Sequence, residues 1–164
     1  MTSKLRPFLY YYIATLLLSA CFLAGMHLPA GGGSPWWHAF FYQVCHCNVW
    51  HLVANLWCLW LMALSSYRVS ARRCALAYVI SVLSAFASPE TEGMSGFLYA
   101  LIGMLSWQAG RIRTFHLWML GFLAAGLLFP HRINLTLHLV CYAGGILIEM
   151  PFCPWRERLR RYWN

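Results

Sequence analysis

Long apolar runs, separated by short polar or Gly/Pro-rich breaks, repeat along most of the chain. A helix that crosses a membrane needs about 20 apolar residues, and most of these runs approach that length. The pattern predicts six helices, roughly at residues 8–27, 46–66, 73–88, 95–110, 114–130 and 135–152. The first run lacks the small-residue cleavage site of a signal peptide, so we interpret it as a membrane-spanning helix.

Lysine and arginine residues occur on alternate connections between these runs. Eleven of the twelve lie at the two termini and around the second and fourth connections, and only Arg132 lies elsewhere. Because cytoplasmic connections are enriched in Lys and Arg, both termini are predicted to be cytoplasmic.

The composition indicates a membrane protein with a single domain over residues 1–164. Hydrophobic residues make up 61% of the chain and charged residues 10%, whereas soluble domains contain about 25% charged residues. The net charge of +8 comes from residues at the ends of apolar runs. We therefore expect a lipid bilayer as partner and no nucleic acid. Most of the seven cysteines lie inside apolar runs and are interpreted as small packing residues.

Four polar side chains interrupt the apolar runs near their non-cytoplasmic ends. His51 and Asn55 lie in the second run, Ser95 begins the fourth, and His138 lies in the sixth. Ser95, His51 and His138 precede the next cytoplasmic arginine by 16, 17 and 18 residues, or about 24, 26 and 27 Å of helix. Polar side chains inside a bilayer are costly and typically functional, so their shared depth predicts a site.

These residue types favour acyl transfer by a Ser95–His138 dyad. Serine needs a base to remove its proton, and a neutral histidine is the usual base. The chain has no aspartate, and Glu149 lies roughly 16 Å beyond His138 along a helix, so no triad is expected. The Ser95 amide at a helix N-terminus, with Asn55 and His51, would donate hydrogen bonds to the oxyanion.

The dyad requires that the fourth and sixth helices approach closely. The glycines that would allow this are Gly93, Gly96 and Gly103 in one helix and Gly144 and Gly145 in the other. A simpler interpretation of Ser95 is a helix N-cap, because serine is common at that position. Asn134, which begins the sequon-like "NLT", is interpreted as a helix cap.

Three motifs resemble those of the rhomboid intramembrane serine proteases. "HCNVWHLVAN" resembles the family's H-x4-H-x3-N, "GMSGFLYALIG" resembles its G-x-S-G nucleophile motif, and "HLVCYAGG" resembles its last helix. All three occur in order and in the matching helices. The resemblance implies an all-α, rhomboid-like bundle of six transmembrane helices that cleaves transmembrane segments near their outer ends.

The resemblance also implies a role for each site residue. The catalytic residues would be Ser95 as nucleophile and His138 as general base, with His51, Asn55 and the Ser95 amide as the oxyanion hole. The supporting residues would be Tyr99, His46, Gly93, Gly96 and Gly145. Tyr99 would pack on the His138 ring, and His46 would form structural hydrogen bonds near a water-filled opening. Helix five and residues 130–134 would flank a lateral opening, and no metal or cofactor is implied.

Two positions depart from the usual pattern of the family. Cys141 occupies the place of the first glycine in H-x2-G-x3-G, while Gly145 keeps the second. The first outer connection contains Trp37-His38 where the family usually has a Trp-Arg pair. The first departure affects the spacing of helices four and six, and the second affects how the connection lies in the membrane.

Three other functions stay open at this point. A rhombosortase-like enzyme of the same fold would trim C-terminal sorting tails. A derlin-like protein would bind membrane clients without catalysis, although such proteins generally lack the serine–histidine pair. A haem or metal protein would use donors from His46, His51, His138 and Cys45 or Cys47. The small size predicts a bacterial inner-membrane protein whose site opens to the periplasmic side.

Overall fold

The computed structural model describes residues 6–128 and 133–152, and these residues form helices and turns without a β-strand. The α-helices are α1 (Arg6–Leu23), α2 (Val49–Leu64), α3 (Ala71–Phe86), α4 (Ser95–Leu105), α5 (Ile112–Ala125) and α6 (Leu135–Glu149). Short 3₁₀ turns lie at Trp36–Phe40, Tyr42–Val44, Ser106–Gln108, Gly126–Leu128 and Met150–Phe152. Each predicted run overlaps one α-helix in the described part of the chain, so the prediction of an all-α, six-helix architecture is confirmed.

Polar side chains cap the N-termini of α2, α3 and α6, and the cap of α3 is Ser70. α2 begins at Val49, three residues later than predicted, because the Asn48 side chain accepts a hydrogen bond from the His51 amide. α6 begins after Asn134, whose side chain accepts the Leu137 amide. The cap predicted at Asn134 is therefore confirmed.

α4 is the central helix of the bundle. Eight of its eleven residues are buried, and it packs against α2, α3 and α6. The approach to α6 is closest, because Gly103 of α4 and Gly145 of α6 each face backbone atoms of the other helix. A Cβ atom on Gly145 would overlap the Ala100 carbonyl oxygen. This approach brings the first turns of α4 and α6 together.

Large apolar side chains lie on the outer surface of the bundle. Trp50, Trp57 and Trp118 are 67–78% exposed, and extensive apolar exposure is typical of a surface that contacts lipid or protein. Among the described residues, one helical stretch, Leu135–Phe152, is long and apolar enough to cross a membrane. Shorter apolar helices lie at Phe8–Leu23, Val49–Leu64 and Ile112–Leu128.

The first connection, residues 24–48, is attached to the connection that leads into α4. Ala30 and Thr91 form an antiparallel bridge with N–H···O distances of 2.9 and 2.8 Å. Gly31 follows with φ of +81°, and a Cβ atom there would overlap the Ser88 carbonyl oxygen, so the position requires glycine. His38, at the second departure noted above, donates from Nδ1 to the carbonyl oxygen of Pro29, 2.8 Å away.

A charged cluster connects α3 and α6 at the end of α6 farthest from His138. Glu149 is 3% exposed and accepts hydrogen bonds from Arg72 at 2.7 Å and from Arg73 at 2.6 and 3.0 Å. The charge pattern predicted only an orienting role for these arginines. Their pairing with Glu149 is therefore a contact that the sequence did not predict.

Replacing Glu149 with glutamine is expected to lower the free energy of unfolding by about 2 kcal/mol, because hydrogen bonds to charged groups contribute about 1.5–3 kcal/mol. Denaturant titration in mixed micelles measures this change. Glu90→Gln is the matched control, since Glu90 is exposed and accepts a 3.3 Å hydrogen bond from Ser34. Equal losses in the two variants, or none in Glu149→Gln, would contradict the prediction.

Candidate active site

Ser95 and His138 are in hydrogen-bonding contact. His138 Nε2 lies 2.9 Å from Ser95 Oγ, and the two residues are 9% and 8% exposed. Ser95 is the first residue of α4 and His138 is the fourth of α6, so the close approach of these helices positions both. The alternative role of Ser95 as an N-cap is wrong, because Met94 occupies that position and no side chain caps α4.

An aromatic ring packs against the imidazole of the dyad. Tyr99, one turn after Ser95, is stacked on His138 with ring centroids 4.2 Å apart and an interplanar angle of 21°. Glu149 is bonded to arginines at the far end of α6, and Glu92 Oε2 lies 3.4 Å from His27 Nδ1. The His138 imidazole thus contacts Ser95 on one side and stacks on Tyr99, while these two glutamates are bonded elsewhere.

Two buried or half-buried residues of α2, His51 and Asn55, are predicted to bind the oxyanion. The His51 ring packs against Gly93, where a Cβ atom would lie 2.8 Å from His51 Nε2. Gly93 has φ of +102°, which also favours glycine at this position. Asn55 is 4% exposed, and its Nδ2 has no hydrogen-bond partner among the described residues. A buried donor without a partner is costly, so this amide is suited to a ligand.

His46 is buried beside His51. It lies ahead of α2, is 1% exposed, and neither ring nitrogen has a hydrogen-bond partner within the described part of the chain. Its ring instead packs edge-to-face on His51, with centroids 5.3 Å apart. The structural hydrogen bonds expected of His46 stay a prediction.

A family model described as the Rhomboid domain matches residues 33–155, about three quarters of the chain. The chain belongs to the rhomboid family. Rhomboid proteins are membrane-embedded and are generally serine intramembrane proteases, although some members are inactive. A comparison with curated proteins gave no match. The resemblance inferred from the three motifs is confirmed.

Cys141, which replaces a glycine of the usual rhomboid pattern, packs on the α3 side of α6. The residue is fully buried and lies beside Ser84 of α3. Gly145 keeps its contact with the backbone of α4, and the Ser95–His138 distance is 2.9 Å. The larger side chain is therefore accommodated without separating α4 from α6 at the dyad.

The predicted glycines serve several different contacts. Gly103 and Gly145 lie between α4 and α6, as expected. Gly144 instead faces Ile80 of α3, where a Cβ atom would lie 3.1 Å from Cγ2, so its predicted place against α4 is wrong. Adjacent helical residues point about 100° apart, which explains the difference from Gly145. The remaining two, Gly93 and Gly96, contact His51 and the Tyr42–Ser81 pair respectively.

α5 is attached to α6 by a polar contact that the sequence did not suggest. His116 Nδ1 lies 2.6 Å from the hydroxyl of Tyr142.

Residues 130–132 of the predicted lateral opening and the basic tail at 156–161 lie outside the described residues. Within the described ranges, no group of three or more His, Cys, Asp or Glu side chains is arranged to hold a metal ion.

Proposed function

We propose that this rhomboid protein is an intramembrane serine endopeptidase that cleaves transmembrane segments of membrane proteins near their outer ends. The observation that carries the proposal is the 2.9 Å contact between His138 Nε2 and Ser95 Oγ. Because the family includes inactive members, a paired nucleophile and base is the feature that favours catalysis over client binding.

The reaction begins when Ser95 Oγ attacks the carbonyl carbon of the scissile peptide bond. His138 Nε2 accepts the hydroxyl proton as the C–O bond forms, and the carbonyl electron pair moves onto oxygen. Collapse of this tetrahedral intermediate breaks the C–N bond, and His138 returns the proton to the leaving amine. A water molecule, deprotonated by the same imidazole, then hydrolyses the acyl-enzyme ester.

Three donors are suited to the oxyanion of that intermediate. The Ser95 amide lies at the N-terminus of α4, where the helix dipole favours negative charge. The His51 ring and the Asn55 amide approach from α2. The unpartnered Nδ2 of Asn55 supports this role, since an oxyanion would supply its missing acceptor, and a single such donor contributes about 10²–10³ in kcat.

The proposed setting is the bacterial inner membrane, with six spans and both termini in the cytoplasm. The distribution of Lys and Arg supports this orientation, and the exposed tryptophans of α2 and α5 suit a lipid-facing surface. The dyad would then lie below the periplasmic surface, within reach of a substrate helix that enters from the bilayer.

A fluorophosphonate probe tests the nucleophile directly. We expect the detergent-solubilised protein to be labelled on Ser95 and the Ser95→Ala variant to be unlabelled, because the probe reacts only with an activated serine hydroxyl. Mass spectrometry of the labelled peptide identifies the site. Ser106→Ala is the matched control: Ser106 is fully buried just beyond α4, and its hydroxyl donates to the Gly103 carbonyl oxygen.

Labelling of Ser95→Ala at the wild-type level would refute the assignment of the nucleophile. Wild-type protein that is folded but unlabelled would favour a client-binding function. If labelling is observed, two reconstituted substrates separate the remaining alternatives. Cleavage of a plain transmembrane segment supports the endopeptidase, whereas cleavage only of a C-terminal Gly-Gly-plus-helix tail supports the rhombosortase-like enzyme.

A further inference from the structure

Tyr42 contacts residues 93–96, the segment that contains Ser95. It lies in the 3₁₀ turn Tyr42–Val44 and is fully buried. Its carbonyl oxygen accepts a hydrogen bond from the Gly93 amide at 3.0 Å. The backbone of Tyr42 thus fixes the chain two residues before Ser95.

The side chain of Tyr42 contacts the same segment on the other side of Ser95. Its hydroxyl lies 2.5 Å from Ser81 Oγ on α3 and donates to the Ser81 carbonyl oxygen at 3.2 Å. Gly96 packs directly on this pair, since a Cβ atom there would lie 2.9 Å from both hydroxyl oxygens. Ser95 is therefore held between two points of contact with a single residue.

We propose that the Tyr42–Ser81 hydroxyl pair is a positioning device for the nucleophile, which sets the start of α4 so that Ser95 Oγ meets His138. The inference rests on the proposed protease function. Tyr42 and Ser81 are positioning residues, because they act through Gly93 and Gly96 and do not contact the dyad atoms.

The pair is suited to this role because it is both buried and directional. Ser81 is 0% exposed, so neither hydroxyl can exchange its partner for bulk water. Burial raises the pKa of the Tyr42 hydroxyl well above its ordinary value, so it stays protonated. Loss of either hydroxyl leaves the other without this partner and opens space behind Gly96. A displacement of 1 Å at a reacting group can cost about a hundredfold in rate.

The experiment measures two quantities for fluorophosphonate labelling at saturating probe: the rate constant, and the final labelled fraction. Partial unfolding lowers the labelled fraction, whereas displacement of Ser95 lowers the rate constant. The variants are Tyr42→Phe, Ser81→Ala and the double variant. Tyr78→Phe is the matched control, because it removes a tyrosine hydroxyl that joins α3 to the first connection at the Phe40 carbonyl oxygen, 2.9 Å away.

We expect Tyr42→Phe and Ser81→Ala each to lower the labelling rate constant about tenfold with a near-complete labelled fraction. The double variant should resemble the single variants, because both remove one interaction. Tyr78→Phe should label at the wild-type rate.

Unchanged rate constants in Tyr42→Phe and Ser81→Ala would overturn the inference, and so would a loss confined to the labelled fraction. An equal slowing in Tyr78→Phe would overturn it too, because general loosening of α3 would then be the cause. If Tyr42→Phe does not fold, the rate constant of Ser81→Ala tests the inference: a tenfold decrease supports it, and an unchanged value overturns it. Absence of labelling in folded wild-type protein is a separate outcome that overturns the proposed function, and this inference with it.

Discussion

The His138→Ala variant is expected to react with a fluorophosphonate at least about 10⁴-fold more slowly than the wild-type protein, since loss of one member of a catalytic unit typically costs this much. Without the imidazole, no group at Ser95 Oγ accepts its proton. The wild-type rate should also fall as the pH is lowered, because a protonated imidazole cannot act as a base. The residual rate of His138→Ala should lack that dependence.

His116→Ala is the matched control for this prediction. His116 is also a partly buried, hydrogen-bonded histidine, but its partner is the hydroxyl of Tyr142 and not the nucleophile. It should label at the wild-type rate with the wild-type pH dependence. If His138→Ala retained more than a tenth of the wild-type rate, Ser95 would have another base, and the dyad would be rejected.

Replacing Gly145 with alanine should destabilise the protein by at least about 3 kcal/mol, because overpacking a well-packed contact costs about 1–3 kcal/mol and occasionally more. The added Cβ would overlap the Ala100 carbonyl oxygen and lie 3.1 Å from the Met104 amide nitrogen. Both are backbone atoms, so relief requires the helices to separate. Since Ser95 and His138 lie on those helices, labelling should be lost together with stability.

Gly144→Ala is the control at the adjacent position. Its Cβ would meet only the Ile80 side chain, 3.1 Å from Cγ2, which can shift. Alanine also favours helix over glycine by about 1 kcal/mol. We expect a change within about 1 kcal/mol and normal labelling, measured by denaturant titration and by the probe. Equal stability of the two variants would show that α4 and α6 are not fixed at the Gly145 contact.

The helix count and the contact between Ser95 and His138 could both be predicted from the sequence, because each depends on a local sequence pattern. Apolar runs mark the helices, and Ser95 and His138 are polar residues that interrupt such runs at similar depths. The position of Gly145 in the motif "HLVCYAGG" predicted correctly that this glycine faces α4. The predicted depth is a distance along each helix in one dimension. It was sufficient to pair Ser95 with His138 because α4 and α6 are neighbouring helices.

The contacts that the sequence did not predict depend on which helices are neighbours and on which of their faces pack together. Nothing local to Tyr42 indicates that its hydroxyl bonds to Ser81, 39 residues later, because a tyrosine after a tryptophan-rich connection is equally consistent with a membrane interface. Glu149 was considered only as a partner of His138, since the register of α3 against α6 was unknown. Gly144 was assigned to α4 and not to α3 for the same reason. Helical periodicity gives the angle between Gly144 and Gly145, but it does not identify the helix that each residue faces.

The arginine cluster around Glu149 has a consequence for the movement of α6. Since that end of α6 is held to α3, a tilt of α6 that kept these contacts would pivot about Glu149, and His138 lies about 16 Å from that point. A tilt of about 5° therefore moves the imidazole by about 1.4 Å, enough to break its 2.9 Å contact with Ser95. Any change in how the two arginines hold Glu149 would therefore be larger at the Ser95–His138 contact than at the arginines themselves.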